Sequence, residues 1–140
     1  MDIMKSKSPI LLVEDDKIDA LTVKMALKEI NVTNELVHVT NGIEALDYLK
    51  DDSKERPCII LLDLNMPKMG GIEFLEHRAK DEEFTTIPVI VLSTSKADSD
   101  KLATFKLNIA GYMLKPVDYK KFVDVMRAIN VYWTLSESVE

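Results

Sequence analysis

Short groups of polar residues follow the apolar runs of this chain, and their side chains are of kinds that bind cations and phosphate. Glu14 and Asp15 follow the first run, and Asp63 ends the third. Ser93 follows the fourth run and Lys115 the fifth. Clustered carboxylates repel one another, and a hard divalent cation such as Mg²⁺ relieves that repulsion through oxygen ligands. A lysine and a hydroxyl suit the equatorial oxygens of a phosphoryl group, and an aspartate beside such a cation can itself become phosphorylated.

Taken alone, each of these residues has an ordinary structural explanation. Acidic residues before a helix can cap it, Asp63 could be a turn residue, and Lys115 could be a solvated surface lysine. In a parallel α/β sheet, however, the carboxyl ends of the strands form one edge, and binding sites form there. The functional interpretation therefore depends on all the polar groups lying at the same strand ends.

The apolar runs have the length and composition of buried strands. They are residues 10–13, 35–39, 58–62, 88–92 and 111–114. Four of them are rich in Val, Ile and Leu with little alternation, which is typical of parallel strands that are covered on both faces. The sequence therefore predicts a parallel sheet between layers of helices.

Segments with helical spacing lie between these runs. The first predicted helix has Asp16 as its N-cap and carries two adjacent apolar stripes. The stripes are Ile18, Leu21 and Met25, and Ala20, Val23, Leu27 and Ile30. Four further helices are predicted, and the last of them is the clearest. Right-handed crossovers between five strand–helix units give an α/β fold with helices on both faces of the sheet.

Length and composition limit the class of protein. The chain has 140 residues, which fits a single domain over 1–140, with a core at about 8–130, an extension of the last helix to 140 and no effector domain. A net charge of −6 argues against nucleic acid as a partner. No segment approaches the roughly 20 apolar residues that span a bilayer, and the first nine residues contain no apolar stretch long enough for a signal peptide. We therefore expect a cytoplasmic protein with no membrane partner.

Four motifs, "ILLVEDD", "LLDLNMPKMGG", "PVIVLSTS" and "GYMLKP", occur in order along the chain. With this spacing the sequence resembles the CheY-like receiver domain of stand-alone two-component response regulators along nearly its whole length. The resemblance implies a flavodoxin-like (βα)5 three-layer fold with strand order 2-1-3-4-5. It also implies a phosphorelay switch that takes a phosphoryl group from a histidine kinase and signals through protein contacts. Such a protein is not an enzyme beyond promoting its own phosphorylation and dephosphorylation.

The resemblance assigns the metal and acceptor roles residue by residue. Asp63 falls at the phosphoacceptor position. Asp15 and Asp63 would bind Mg²⁺, or Mn²⁺, through their side chains and Asn65 through its backbone carbonyl, while Glu14 would act through a water molecule. The turn at 67–71, "PKMGG", would shape the loop after Asp63, with glycines that adopt backbone angles which other residues resist.

The remaining roles concern the phosphoryl group and the switch. Lys115 and the hydroxyl of Ser93 would contact the phosphoryl group on Asp63. Tyr112 would swing inward when Ser93 moves. Pro116 would follow a cis peptide bond, as the Lys-Pro pair of the family usually does.

The expected partners are a sensor histidine kinase or hybrid kinase, and a downstream protein that binds the face of the fourth helix, fifth strand and fifth helix. The apolar residues Tyr132, Trp133 and Leu135 suggest either a homodimer through the C-terminal helix or a wide core face with scattered exposed residues. The aromatic C-terminus also resembles that of single-domain regulators that pair with phytochrome-like kinases.

Two other functions are open to a chain with these residues. A receiver-like scaffold that works without phosphorylation would have lost Asp63, Asp15 or Lys115, and all of them are present. A metal-dependent phosphatase of the haloacid-dehalogenase type also uses an aspartyl phosphate. It would have a second aspartate at position 65, where this chain has Asn65.

Overall fold

The computed structural model describes residues 8–64, 66, 68–94, 98–116 and 118–135, with the backbone alone at 98, 99 and 133–135. The strands are β1 (Ile10–Val13), β2 (Leu36–Val39), β3 (Ile59–Leu62), β4 (Val89–Ser93) and β5 (Gly111–Leu114). The helices are α1 (Lys17–Glu29), α2 (Gly42–Lys50), α3 (Gly71–Ala79), α4 (Glu82–Thr85), α5 (Asp98–Phe105) and α6 (Tyr119–Leu135). Every predicted strand is confirmed to within one residue at each end.

The strands form one parallel sheet in the order β2-β1-β3-β4-β5. Val13, the last residue of β1, pairs with Val39 of β2 and with Leu62 of β3. At the other side of the sheet, Ser93 pairs with Leu114. The carboxyl ends of the strands therefore lie along one edge, and the flavodoxin-like (βα)5 fold with this strand order is confirmed.

Two apolar cores enclose the sheet, one on each face. The central strands β1, β3 and β4 are buried along their whole length, whereas the edge strands β2 and β5 are only partly buried. Ile10 and Leu12 pack in the core that α1 and α6 cover, and Leu11 and Val13 pack in the core that α2 and α3 cover. Burial on both faces explains why the strands are continuous apolar runs in the sequence.

Helix α1 presents only one of its two apolar stripes to the core. The stripe that contains Ala20 and Val23 is buried. The stripe of Ile18, Leu21 and Met25 is exposed, with Ile18 at 76%. The periodicity of the sequence could not separate the two, because both repeat at helical spacing.

Aspartate side chains cap helices α1 and α4. Asp16 is the N-cap of α1, as predicted, and accepts a hydrogen bond from the backbone N–H of Ile18. Asp81 caps the one-turn helix α4 by accepting from the backbone N–H of Glu83. This helix was not predicted, because four residues are too few to show helical periodicity. The predicted fourth and fifth helices are therefore α5 and α6.

Among the helices of the described range, none is both long and apolar enough to cross a membrane.

A buried arginine in α3 binds backbone carbonyl groups of the segments that precede β4 and β5. Arg78, in α3, is 1% exposed. Its Nη2 donates to the backbone oxygens of Thr85 and Ile87, at 3.2 and 2.9 Å. Its Nη1 donates to the backbone oxygen of Leu107 at 3.2 Å. The guanidinium thereby joins α3 to the segments that lead into β4 and β5.

The loop after Asp63 corrects one prediction about glycine. No glycine of the described residues has a positive φ, and Gly70 has a φ of −76°. Among the described residues of this loop, Lys68 has a left-handed backbone, with a φ of 59°. Gly71 is needed for close packing instead, since a Cβ there would lie 2.7 Å from the backbone oxygen of Asp63. Pro67, which belongs to the same predicted turn, lies outside the described residues.

Candidate functional site

The carboxyl ends of β1 and β3 bring three acidic side chains together. The backbone N–H of Asp63 donates to the oxygen of Val13 at 3.0 Å, which fixes the end of β3 against the end of β1. Glu14, Asp15 and Asp63 each offer a carboxylate oxygen, and these oxygens lie within 4.8 Å of one another. The predicted acidic cluster is therefore present among the described residues.

Glu14 is the most deeply buried member of this cluster, with 2% of its surface exposed. Burial, together with the neighbouring charge of Asp63 and against the lowering effect of Lys115, raises the pKa of Glu14 to about 7. This glutamate therefore binds its proton more tightly than an exposed glutamate does.

Lys115 lies beside the cluster with its ammonium group facing several carboxylates. Its Nζ donates to Glu14 Oε1 at 2.7 Å and to Asp19 Oδ2 at 3.2 Å, and it lies 3.7 Å from Asp63 Oδ1. Burial lowers the pKa of Lys115, but the hydrogen bond to Glu14 and the charges of Asp63, Glu14 and Asp19 outweigh it, so the net pKa is raised. The ammonium group of Lys115 is therefore a cation held close to the carboxylate of Asp63.

Ser93 and Tyr112 lie on the neighbouring strands β4 and β5. Ser93 is fully buried and is the last residue of β4, whereas the sequence pattern predicts a position just after that strand. Its backbone oxygen accepts a hydrogen bond from the backbone N–H of Lys115 at 2.8 Å. Tyr112 pairs with Val91 across the two strands and packs against the core beneath α2 and α3.

Two residues at this edge of the sheet were not predicted to belong to the site. His38, in β2, has its Nε2 2.6 Å from the backbone oxygen of Glu14. A carbonyl oxygen only accepts, so this ring nitrogen must donate the proton. Asp19 reaches Lys115 from the first turn of α1. No sequence pattern identifies either contact, because the paired residues are far apart in the chain.

Asn65 and Pro116 carry two further predictions about the site. Asn65 lies outside the described residues, so its predicted backbone carbonyl ligand has no structural description. The cis peptide bond predicted before Pro116 is wrong for this structure, because the described residues contain no cis peptide bond. The trans form is the intrinsically preferred one before proline.

The chemistry of the donor set fits a hard divalent cation. The atoms that converge are carboxylate oxygens, which Mg²⁺ and Mn²⁺ prefer, and there is no thiolate or imidazole among the clustered ligand atoms of the described residues. A cation held there would also offset the repulsion between the clustered acids.

A family model for the response regulator receiver domain matches residues 10–127 of this chain. Among curated proteins, the response regulator Rcp1 of Synechocystis sp. is 34% identical over 128 residues, which are 89% of this chain and 87% of Rcp1. The polar-differentiation response regulator DivK of Brucella anthropi is 27% identical over 120 residues, which are 85% of this chain and 93% of DivK.

Solved structures give the same relationship. The phosphorylated cyanobacterial phytochrome response regulator RcpA superposes with a TM-score of 0.87 and 33% identity, over 94% of this chain and 98% of RcpA. The Mn²⁺-bound form of response regulator Rcp1 superposes with a TM-score of 0.85 and 32% identity, over 96% of this chain and 99% of Rcp1.

Proposed function

The chain belongs to the response regulator receiver domain family, and from that premise we propose that Asp63 accepts a phosphoryl group from a histidine kinase. Receiver domains are signalling switches, so the proposal describes a modification of the protein itself and not the turnover of a substrate. The observation that carries it is the convergence of Glu14, Asp15 and Asp63, with Lys115 3.7 Å from the Asp63 carboxylate.

The proposed reaction is an in-line displacement at phosphorus. An oxygen of Asp63 forms a bond to phosphorus, and the bond from phosphorus to the nitrogen of a phosphohistidine breaks. With a small acyl phosphate as donor, a phosphorus–oxygen bond breaks instead. The electron pair leaves with the donor. Lys115 donates a hydrogen bond toward the phosphoryl oxygens and balances their charge.

The metal and switch roles are part of the same proposal. Asp15 and Asp63, with the backbone carbonyl of Asn65 and, through a water, Glu14, would hold Mg²⁺, and Mn²⁺ is an alternative. The bound cation would supply neutralising charge at the phosphoryl group. The hydroxyl of Ser93 would then bind a phosphoryl oxygen, and Tyr112 would move inward as Ser93 moves, which biases a two-state equilibrium.

We extend the proposal to partners. The donor would be a sensor or hybrid histidine kinase, and a phytochrome-like kinase is a candidate because the similar RcpA is a phytochrome response regulator. The output surface would be the face of α5, β5 and α6, where Leu102, Phe105 and Leu114 are exposed apolar residues. A homodimer through α6 is a further part of the proposal, and so is a cytoplasmic location, where a kinase has access to ATP.

The proposal is tested by incubating the protein with Mg²⁺ and acetyl phosphate and weighing it by mass spectrometry. We expect a single phosphoryl adduct, which disappears in the Asp63→Asn variant and when EDTA replaces Mg²⁺. The Asp52→Asn variant, which changes an exposed aspartate, is the matched control and should be labelled like the wild type. An unlabelled wild type, or full labelling of Asp63→Asn, would contradict the proposal.

A further inference from the structure

Lys115 has an acidic partner that the acidic cluster does not contain. Asp19 Oδ2 accepts a hydrogen bond from Lys115 Nζ at 3.2 Å. The backbone of Asp19 is held in place, since its N–H donates to Asp16 Oδ1 at 3.1 Å in the N-cap of α1. Its side chain is 47% exposed, so it reaches the partly buried lysine from the surface.

Asp19 differs from the other carboxylates around Lys115 in what a cation would do to it. Glu14 and Asp63 belong to the group of described acids whose oxygens could hold a metal ion, and Asp19 does not. A cation bound by that group would offset the negative charge of Glu14 and Asp63. The charge of Asp19 would remain available to Lys115.

The position of the ammonium group also favours its partners over the acceptor. Lys115 Nζ lies 2.7 Å from Glu14 and 3.2 Å from Asp19, but 3.7 Å from Asp63. Lys115 Nζ uses two of its three N–H donors on Glu14 and Asp19, so binding a phosphoryl group on Asp63 draws the ammonium charge away from these partners. The bond to Asp19 is the longer of the two hydrogen bonds.

We infer that Asp19 is a positioning residue that competes with the phosphoryl group for Lys115 and thereby slows phosphorylation of Asp63. The inference rests on the proposed function. Loss of the Asp19 charge releases the lysine toward Asp63, so the Asp19→Asn variant is phosphorylated about two- to fivefold faster than the wild type, a factor in the range of a partly exposed ion pair. The Asp19→Glu variant keeps the charge and stays near the wild-type rate.

The decisive experiment is a double-mutant cycle with acetyl phosphate and Mg²⁺. Rates are measured for wild type, Asp19→Asn, Lys115→Ala and the double variant, with Glu29→Gln as a control that removes one charge from the far end of α1. If Asp19 acts through Lys115, Asp19→Asn accelerates the wild type but leaves the Lys115→Ala background unchanged. An equal acceleration in both backgrounds, an equal acceleration by Glu29→Gln, or no acceleration at all overturns the inference.

A second readout needs neither metal nor phosphoryl transfer. In EDTA, modification of Lys115 by an amine-reactive reagent is followed by peptide mass spectrometry, and Asp19→Asn should raise its rate relative to the other lysines. An unchanged rate overturns the inference whatever the phosphorylation results are. If the wild type takes no phosphoryl group while Lys115 labelling still responds to Asp19, the proposed function fails and the competition fails with it, although the contact itself is real.

Discussion

At the scale of single residues, two opposing effects act on the pKa of Glu14. Burial disfavours its charged form, while Lys115, at 2.7 Å, favours it. Burial is the larger effect, and the pKa of Glu14 rises from 4.5 to about 7. A group of this kind couples the stability of the metal-free protein to pH in a defined direction.

The first prediction at this scale concerns unfolding free energy. Between about pH 4.5 and pH 7 the folded protein keeps a proton on Glu14 that the unfolded chain has released, so this residue makes the fold less stable as pH rises. From pH 5 to pH 7.5, Glu14 should lower the free energy of unfolding of the wild type by about 1–3 kcal/mol. We expect Glu14→Gln to abolish this loss. Urea unfolding in EDTA at both pH values measures the difference.

Two features of that experiment isolate Glu14. The raised pKa of Lys115 contributes stability that is present at both pH values, because it is lost only as pH rises through the folded pKa, above 10.5. Glu29→Gln, which changes an exposed acid, should retain the wild-type pH dependence. Identical pH profiles for Glu14→Gln and the wild type would show that Glu14 does not titrate in this range.

At the scale of elements, the connection from β3 to α3 fixes the position of Asp63. It contains adjacent glycines in different surroundings. A Cβ on Gly71 would lie 2.7 Å from the backbone oxygen of Asp63 and 2.7 Å from the Cα of Leu64. A Cβ on Gly70 would meet its nearest atom, the backbone oxygen of Leu64, at 3.5 Å. Backbone atoms cannot turn aside as a flexible side chain can.

The two glycines make a matched pair of substitutions. Gly71→Ala should destabilise the protein by about 1–3 kcal/mol, because the added methyl group must displace the backbone that carries Asp63. Gly70→Ala should change the stability by less than about 0.5 kcal/mol, since φ is −76° and the nearest atom, at 3.5 Å, is at an ordinary van der Waals distance. Urea unfolding compares them, and equal effects of the two substitutions would contradict the packing argument.

At the scale of the whole molecule, most of the exposed apolar residues that the structure describes lie on three surfaces. One is α1, with Ile18, Leu21 and Met25, and another is the α5–β5 surface around Phe105. The third lies near the end of α6, where Val131 is 50% and Tyr132 60% exposed. Trp133 and Leu135 have no described side chains, so the predicted interface is described only in part. Scattered exposed apolar residues are normal, and exposure alone does not identify a dimer surface.

The oligomeric state gives the prediction at this scale. Light scattering in Mg²⁺, with and without acetyl phosphate, should show a dimer in at least one state, because burial of the apolar end of α6 favours association. Tyr132→Ser should weaken the dimer, and Leu21→Ser on α1 is the matched control that should not. A monomer in both states would rule out the proposed homodimer.

The sequence predicts the five strands, their order through the family resemblance, and the acidic and lysine residues at the strand ends. It could do so because parallel strands that are buried on both faces are continuous apolar runs, and the residues that end them are polar. The motifs then identify which strand ends belong together.

The sequence did not predict which stripe of α1 is buried, how Arg78 binds the carbonyls around it, or that His38 and Asp19 contact the site. These are contacts through space. The bond from Lys115 to Asp19 joins residues 96 positions apart, and no local pattern of spacing or polarity specifies such a pair. The geometry of these contacts follows from how the strands and helices pack against one another in the folded protein.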